Sequence, residues 1–142
     1  MVFAWILIKL IAPQVHLRRT KDGTEFDYDT NTIYYDAKPD PFDKCFIRHV
    51  KEKHNFPIAD NYSFRLWSIL HELGHYFNDD VEEDEWAKAL CAVLSKEQAL
   101  NDVEIQDYYY DSPDEFEATE WAIIWIEEHP RLAKLFSKLL DL

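Results

Sequence analysis

The sequence predicts a single α+β domain, in which a small antiparallel sheet of about three strands is covered by four or five helices. Short alternating segments separated by turn residues fill the first part of the chain, and apolar residues at helical spacing follow from residue 42 onward. The length of 142 residues suits one domain. Hydrophobic residues form 47% of the chain and aromatic residues 15%, which is enough apolar surface for one core.

The N-terminal part predicts one apolar segment and three strands. Met1 to Ala12 is interpreted as a buried strand or helix, because the run is too short to span a bilayer and lacks a cleavage pattern. A signal or an anchor is the alternative for this segment. Alternation and turn residues such as Lys21-Asp22-Gly23 then predict an antiparallel meander over residues 15–19, 25–28 and 32–35.

The rest of the chain predicts helices. Asp60 or Asn61 can act as the N-cap of the second of them, and Ser112-Pro113-Asp114-Glu115 is typical of the start of the fourth. Apolar spacing and breaking residues place the predicted helices over residues 42–54, 60–78, 82–100, 112–129 and 131–140, with a tyrosine-rich loop over residues 101–111.

The charge of the chain limits its partners. Twenty-eight Asp and Glu oppose fifteen Lys and Arg, which gives a net charge of −13 and disfavours direct binding to nucleic acid or to an anionic membrane. Most basic residues lie within residues 9–54, whereas residues 79–128 are strongly acidic and are interpreted as a solvated surface. Cys45 and Cys91 do not form a disulfide framework, so a reducing cytoplasm is expected.

The chemistry is predicted to reside in His71-Glu72-Leu73-Gly74-His75, which lies inside the second helix of this part. Residues four apart share a helix face, so His71 and His75 can present their imidazoles to one zinc ion. Glu72 then lies beside the metal and is the candidate general base. The alternative is a chance spacing of two histidines on a helix surface.

The third ligand has to come from elsewhere in the chain. A metzincin arrangement is excluded, because its glycine and histidine positions are Asn78 and Val81 here. Glu115, followed by Ala118, has the Glu-x-x-Ala form found in gluzincins. The competing interpretation places Glu115 in a capping box behind Ser112. Glu117 and Glu120 are the reserve ligands, or members of a solvated acidic face.

Other polar residues are assigned structural roles first. His49 and His54 are predicted to be surface residues, and His16 belongs to a strand. His129 ends a helix, where a cation is favoured, with a role in the transition state as the alternative. One tyrosine of Tyr108-Tyr109-Tyr110 could stabilise an oxyanion, although packing is the commoner role.

Two blocks resemble the ImmA/IrrE-type metallopeptidases, which are small gluzincins often found beside phage-like repressors. The blocks are residues 65–75, which end in the His-Glu-Leu-Gly-His motif, and residues 115–122, which begin Glu-Phe-Glu-Ala. The resemblance implies a zincin-like minimal gluzincin fold with zinc on His71, His75 and Glu115, and with Glu72 as the catalytic residue.

The resemblance also implies that a strand near residues 32–35 aligns an extended peptide, and that a peptide bond in a protein partner is cleaved. Thr119, Trp121 and residues 125–128 depart from the family pattern, so the wider minimal gluzincin group is the safer assignment.

The sequence therefore predicts a cytoplasmic zinc metallopeptidase that acts on a protein or peptide, such as a phage-type or regulatory repressor, without direct contact with nucleic acid or membrane. One alternative is a non-catalytic zincin scaffold that serves as a binding or regulatory protein of the antitoxin or phage accessory type. A second alternative is a purely structural domain without a metal.

Overall fold

The computed structural model describes residues 1–38, 43–79, 89 and 103–142, and this part of the chain is α+β, as predicted. It contains six α-helices and a three-stranded sheet. The helices are α1 (Val2–Ile11), α2 (Asp43–Lys53), α3 (Phe64–Phe77), α4 (Val103–Tyr110), α5 (Pro113–Glu128) and α6 (Pro130–Leu140). The strands are β1 (His16–Arg19), β2 (Glu25–Asp27) and β3 (Thr32–Tyr35).

Two segments with sequence predictions are helical in the structure. The segment interpreted as a strand or helix is helix α1, and the helix that carries the His-Glu-Leu-Gly-His motif is α3. The helix expected over residues 82–100 lies outside the described residues, apart from residue 89. Within the described ranges, none of the helices has both the length and the apolar character needed to cross a membrane.

The sheet is mixed, so the prediction of an antiparallel meander was wrong. The strand order is β1-β3-β2, with β3 antiparallel to β2 and parallel to β1. Three of the four residues of β3 are buried, whereas β1 and β2 are largely accessible. Turn residues indicate where the chain reverses, but they do not specify which strand becomes the neighbour, and the most buried strand takes the centre.

The predicted loop over residues 101–111 was also wrong, because residues 103–110 form α4. Its polar sequence lacks a strong apolar stripe, yet specific contacts hold the helix against its neighbours. Asp107 accepts a hydrogen bond from Arg48 of α2 at 2.8 Å, and the ring of Tyr110 packs against Phe46 with centroids 5.6 Å apart. These contacts come from distant residues, which explains why local periodicity missed the helix.

Helix α3 runs through the core. Leu66, Leu70 and Leu73 of its predicted apolar stripe are fully buried, whereas Phe77 at its end is exposed. The N-cap is Ser63 rather than Asp60 or Asn61, since the Ser63 hydroxyl accepts a hydrogen bond from the backbone N–H of Leu66 at 3.2 Å. The two predicted caps instead belong to a short 3₁₀ turn, Ala59–Asn61.

Helices α3 and α5 cross with their backbones in contact at Gly74. A Cβ atom added to Gly74 would lie 2.7 Å from the Cα of Ala118 and would also collide with the Ala118 carbonyl group. Real Cβ atoms do not approach backbone atoms this closely, so only glycine allows this crossing. The short separation brings the first turn of α5 close to the two histidines of α3.

Gly74→Ala is expected to destabilise the protein by about 3 kcal/mol, because the new methyl group would meet backbone atoms of α5 that cannot rotate away. At an exposed helix position the same change would stabilise by up to about 1 kcal/mol, so the sign of the effect is informative. Urea unfolding followed by circular dichroism measures it. Ile124→Ala, at an exposed position of α5, is the control and should change the free energy of unfolding by less than about 0.5 kcal/mol. A stabilising Gly74→Ala variant would contradict the close crossing.

His49 and His54 are buried, so their prediction as surface residues was wrong. Both side chains are fully inaccessible, and their rings lie 5.3 Å apart. His49 Nε2 lies 2.7 Å from a carboxylate oxygen of Asp111, and His54 Nδ1 lies 2.8 Å from one of Glu120. Each histidine meets an acidic residue more than 60 positions away, and helical spacing within α2 carries no information about such partners.

Burial lowers the pKa of His49, and the nearby Asp111 carboxylate only partly offsets this effect. Below about pH 6.5, the ordinary histidine pKa, the unfolded chain therefore binds a proton that the folded protein does not. The free energy of unfolding should fall with decreasing pH by up to about 1.4 kcal/mol per unit from this residue. His49→Gln should show a shallower slope in pH-dependent urea unfolding of metal-free protein, while His16→Gln, at an exposed strand position, should keep the original slope. Identical slopes for wild type and His49→Gln would refute the assignment.

Candidate metal centre

Helices α3 and α5 bring two histidines and one glutamate to a single buried point. His71 and His75 lie one turn apart on α3 and are 7% and 6% exposed. Glu115, in the first turn of α5, is 4% exposed. Its Oε2 atom lies 2.7 Å from His71 Nε2 and 3.3 Å from His75 Nε2. One carboxylate oxygen of Glu115 thus contacts two histidines that lie 44 and 40 positions before it in the chain.

Three residues of the motif on α3 could hold a metal ion. His71, Glu72 and His75 offer ligand atoms that all lie within 4.8 Å of one another. An ion bound tetrahedrally, about 2.0–2.1 Å from each donor, separates its donors by about 3.3 Å. The distance from Glu115 to His75 matches that value and the distance to His71 is shorter, at 2.7 Å, so His71 and Glu115 would have to move apart to admit an ion between the three side chains.

The other two candidate ligands have different surroundings. Glu117 is exposed on α5. Glu120 is hydrogen-bonded to His54, on a different side of the helix from Glu115. Of the three glutamates considered from sequence, Glu115 is the one whose carboxylate contacts both histidines of the motif.

The capping-box interpretation of Glu115 does not fit the start of α5. Ser112 is the N-cap residue, but its side chain makes no capping hydrogen bond and its hydroxyl donates to the carbonyl of Tyr109. The carboxylate of Glu115 is directed towards α3 instead. A negative charge in the first turn is still favoured by the helix dipole, so the position stabilises the carboxylate while leaving both oxygens for other partners.

Each imidazole is oriented by a hydroxyl group on its second nitrogen. His71 Nδ1 lies 3.0 Å from Thr119 Oγ1, and the Thr119 hydroxyl donates to the backbone carbonyl of Glu115 at 3.2 Å. The Nε2 atom of His71 is therefore the nitrogen directed at the candidate metal position. Outer hydrogen bonds of this kind fix the tautomer and the ring orientation of metal-binding histidines.

Tyr28 orients His75 in the way that Thr119 orients His71. Its hydroxyl lies 3.0 Å from His75 Nδ1, and the two rings meet edge to face. Tyr28 directly follows β2 and is 47 residues from His75 in sequence. Sequence reasoning missed both hydroxyl partners. The position of Thr119, one helical turn after Glu115, was an available signal, whereas nothing local indicates Tyr28.

Electrostatics favour a charged carboxylate at the centre. Burial alone raises the pKa of Glu115, but hydrogen bonds from His71 and His75 outweigh it and hold the pKa well below the usual range. Tyr109 donates its hydroxyl to Glu115 Oε1 at 3.1 Å. Burial first, and then the Glu115 charge, raise the pKa of Tyr109 well above its usual value, so this hydroxyl stays protonated at neutral pH.

The other residues considered for catalysis lie elsewhere. Tyr110 packs against Phe46 and His49, and Tyr108 is 42% exposed. His129 follows the last residue of α5, at the opposite end from Glu115, and stacks on Trp125. Tyr109 is thus the tyrosine of its cluster that contacts the candidate metal centre.

The strand expected to align a peptide was misplaced. Thr32–Tyr35 is the central strand, with β1 and β2 hydrogen-bonded on its two sides, so its edges are occupied. Within the described sheet, β2 is an outer strand and leads directly to Tyr28 beside His75. The edge nearest the candidate metal centre is therefore that of β2.

Comparisons of the chain with protein-family models, with curated proteins and with solved structures found no match.

Glu115→Ala is expected to lower the affinity for zinc by more than about 100-fold, because losing even an outer-shell partner costs about 10- to 100-fold. The measurement is a titration of metal-stripped protein against a chromophoric chelator. Glu117→Ala removes the same charge two residues away, at an exposed position, and should bind as the wild type does. Wild-type affinity in Glu115→Ala, or a comparable loss in Glu117→Ala, would reject Glu115 as the third ligand.

Proposed function

We propose that this chain is a zinc-dependent peptidase of the minimal gluzincin type, with a zincin-like fold. The observation that carries the proposal is the convergence of His71 and His75 on one oxygen of Glu115, with Glu72 beside them. A helix with two histidines one turn apart and a glutamate from a second helix is the ligand set that gluzincins use. The resemblance of residues 65–75 and 115–122 to ImmA/IrrE-type metallopeptidases supports the same assignment.

The donor set favours zinc over harder cations. Two imidazoles and one carboxylate suit zinc, whereas calcium and magnesium prefer shells made of oxygen atoms. Three protein ligands also leave a fourth position for water, as in catalytic rather than structural zinc sites. His71, His75 and Glu115 are the proposed ligands. Zinc bound there would polarise a substrate carbonyl and lower the pKa of a bound water to about 7.

Glu72 is the proposed general base. It belongs to the group whose ligand atoms lie within 4.8 Å of one another, a separation that leaves room for a water between its carboxylate and the histidines. The Glu72 carboxylate accepts a proton as the water oxygen bonds to the peptide carbonyl carbon. It then returns that proton to the leaving nitrogen as the C–N bond breaks.

The surrounding hydroxyl groups hold the proposed ligands in place. Thr119 and Tyr28 keep the second nitrogens of His71 and His75 occupied, so the rings cannot rotate away from the centre. Tyr109 holds the second oxygen of Glu115. A protein or peptide substrate, such as a phage-type or regulatory repressor, would lie in an extended form along the edge of β2 that leads to Tyr28.

Glu72→Gln is expected to keep zinc at one equivalent and to lower peptide cleavage by at least about 100-fold, because the amide cannot accept the water proton. The assay is mass spectrometry of new amino termini in an end-blocked tryptic peptide library incubated with zinc-loaded protein. Glu117→Gln, the same chemical change at an exposed position, should leave cleavage unaffected.

Equal cleavage by Glu72→Gln and the wild type would refute the role of Glu72. A wild-type protein that holds one zinc and cleaves nothing in the library or in a candidate repressor would refute the peptidase proposal. That result would favour the non-catalytic binding or regulatory scaffold.

A further inference from the structure

Helix α1 has an exposed apolar face in addition to its buried one. Ala4, Leu7 and Ile8 are fully buried in the core. On the other side, large apolar side chains are 40–67% exposed, and these are Met1, Val2, Trp5, Ile6 and Leu10. Positions 2, 5, 6 and 10 follow helical spacing and therefore form one stripe. A surface helix usually presents polar residues on its outer side, so this stripe requires an explanation.

The stripe carries no free charge. Lys9 is the one charged residue of α1, and its ammonium group donates to the carbonyls of Pro13 and Val15, at 2.8 Å in each case. These carbonyls lie just beyond the C-terminal end of α1, where a positive charge is favoured by the helix dipole. The ammonium group of Lys9 is thereby hydrogen-bonded to the backbone, and the outer face of α1 remains apolar.

Basic residues lie on the elements next to helix α1. Helix α1 packs against both β1 and α6. These two elements and the residue Lys21 carry six exposed basic side chains, which are Arg18, Arg19, Lys21, Arg131, Lys134 and Lys138. Among the described residues, none of these six takes part in an ion pair.

The separation of charge is strong over the whole chain. Residues 1–21 and 130–140 contain seven of the fifteen Lys and Arg and none of the twenty-eight Asp and Glu. The net charge of −13 therefore divides into +7 for these two segments and −20 for the rest of the chain. Charges separated by more than about 10 Å are largely screened at 0.1 M salt, so a local basic region can act independently of the overall sign.

We propose that α1 and its basic neighbours form a docking surface for an anionic lipid membrane. The apolar stripe, with Trp5 at its middle, would enter the boundary between headgroups and acyl chains, as apolar faces of interfacial helices do. The six basic side chains would contact the lipid phosphates. The anionic lipid repels the acidic remainder of the chain, and this repulsion orients the protein with α1 towards the lipid.

The apolar stripe favours a lipid surface over a nucleic acid. Nucleic acids are bound chiefly through phosphate contacts from basic side chains, and an uncharged stripe of Val, Trp, Ile and Leu would interrupt such a footprint. A bilayer offers both an apolar layer and a layer of phosphates, and therefore matches both parts of this surface. The whole-chain charge, which disfavours anionic membranes, averages over two regions of opposite sign.

The experiment is flotation of the 142-residue chain with vesicles of phosphatidylcholine alone or mixed with phosphatidylglycerol. The wild type should float with the mixed vesicles at low salt and be released at high salt. Replacing Arg131, Lys134 and Lys138 by Gln should lower the partition coefficient by roughly 100-fold, given the contribution of each basic residue at an anionic surface. Trp5→Ser combined with Ile6→Ser should lower it by at least about tenfold.

Matched controls distinguish this surface from general effects. Lys38, Lys44 and Lys53 replaced together by Gln give the same change in net charge at other exposed positions, and Ile124→Ser removes an exposed apolar side chain from α5. Both variants should float like the wild type. Circular dichroism confirms that each variant is folded, and metal-stripped protein should float equally, because the proposal does not depend on the peptidase activity.

Three results would overturn the proposal. The first is an absence of flotation with either kind of vesicle. The second is flotation that the basic variant retains in full. The third is a dimer in light scattering that becomes monomeric in the Trp5→Ser and Ile6→Ser variant, which would assign the stripe to a second copy of the chain.

Discussion

The backbone contact between Gly74 of α3 and Ala118 of α5 is the constraint on which the site depends. It sets the distance between the two helices and the register in which they face each other. Residues 115, 118, 119 and 122 of α5 follow helical spacing and are all buried. Two of them are alanines that allow close packing, and the other two are Glu115 and Thr119, which reach the histidines of α3. One packing interaction therefore positions both the carboxylate and the hydroxyl group that orients His71.

The side chains of the candidate metal centre hold one another in place. A buried carboxylate without partners is costly, and Glu115 avoids this cost through His71, His75 and Tyr109. The imidazoles in turn have Thr119 and Tyr28 on their other nitrogens. Every one of these groups is thus held by another, and their orientations depend on one another.

Two buried histidine clusters contact different faces of helix α5. Glu115 and Thr119 face the motif on α3, whereas Phe116 and Glu120 contact His54 at the end of α2. The second cluster differs in its chemistry, since His49 Nδ1 and His54 Nε2 are buried and have no hydrogen-bond partner in the part of the chain that the structure describes. Within the described residues, the group of three or more ligands suited to a metal is the one on α3. Burial of histidine alone therefore does not make a candidate metal site, because such a site also needs further donors nearby.

Local patterns in the sequence determined the α+β class, the helical setting of His71, Glu72 and His75, and the start of α5 at Ser112, because each depends on residues within one or two turns. Tertiary packing decided the parallel pairing of β1 with β3, the helix at residues 103–110, the burial of His49 and His54, and the contact of Tyr28 with His75. It also decided that β1 and α6, which carry exposed basic residues, both pack against α1. These features join residues distant in the chain, and their partners are selected by the free energy of the whole core, which no local spacing encodes.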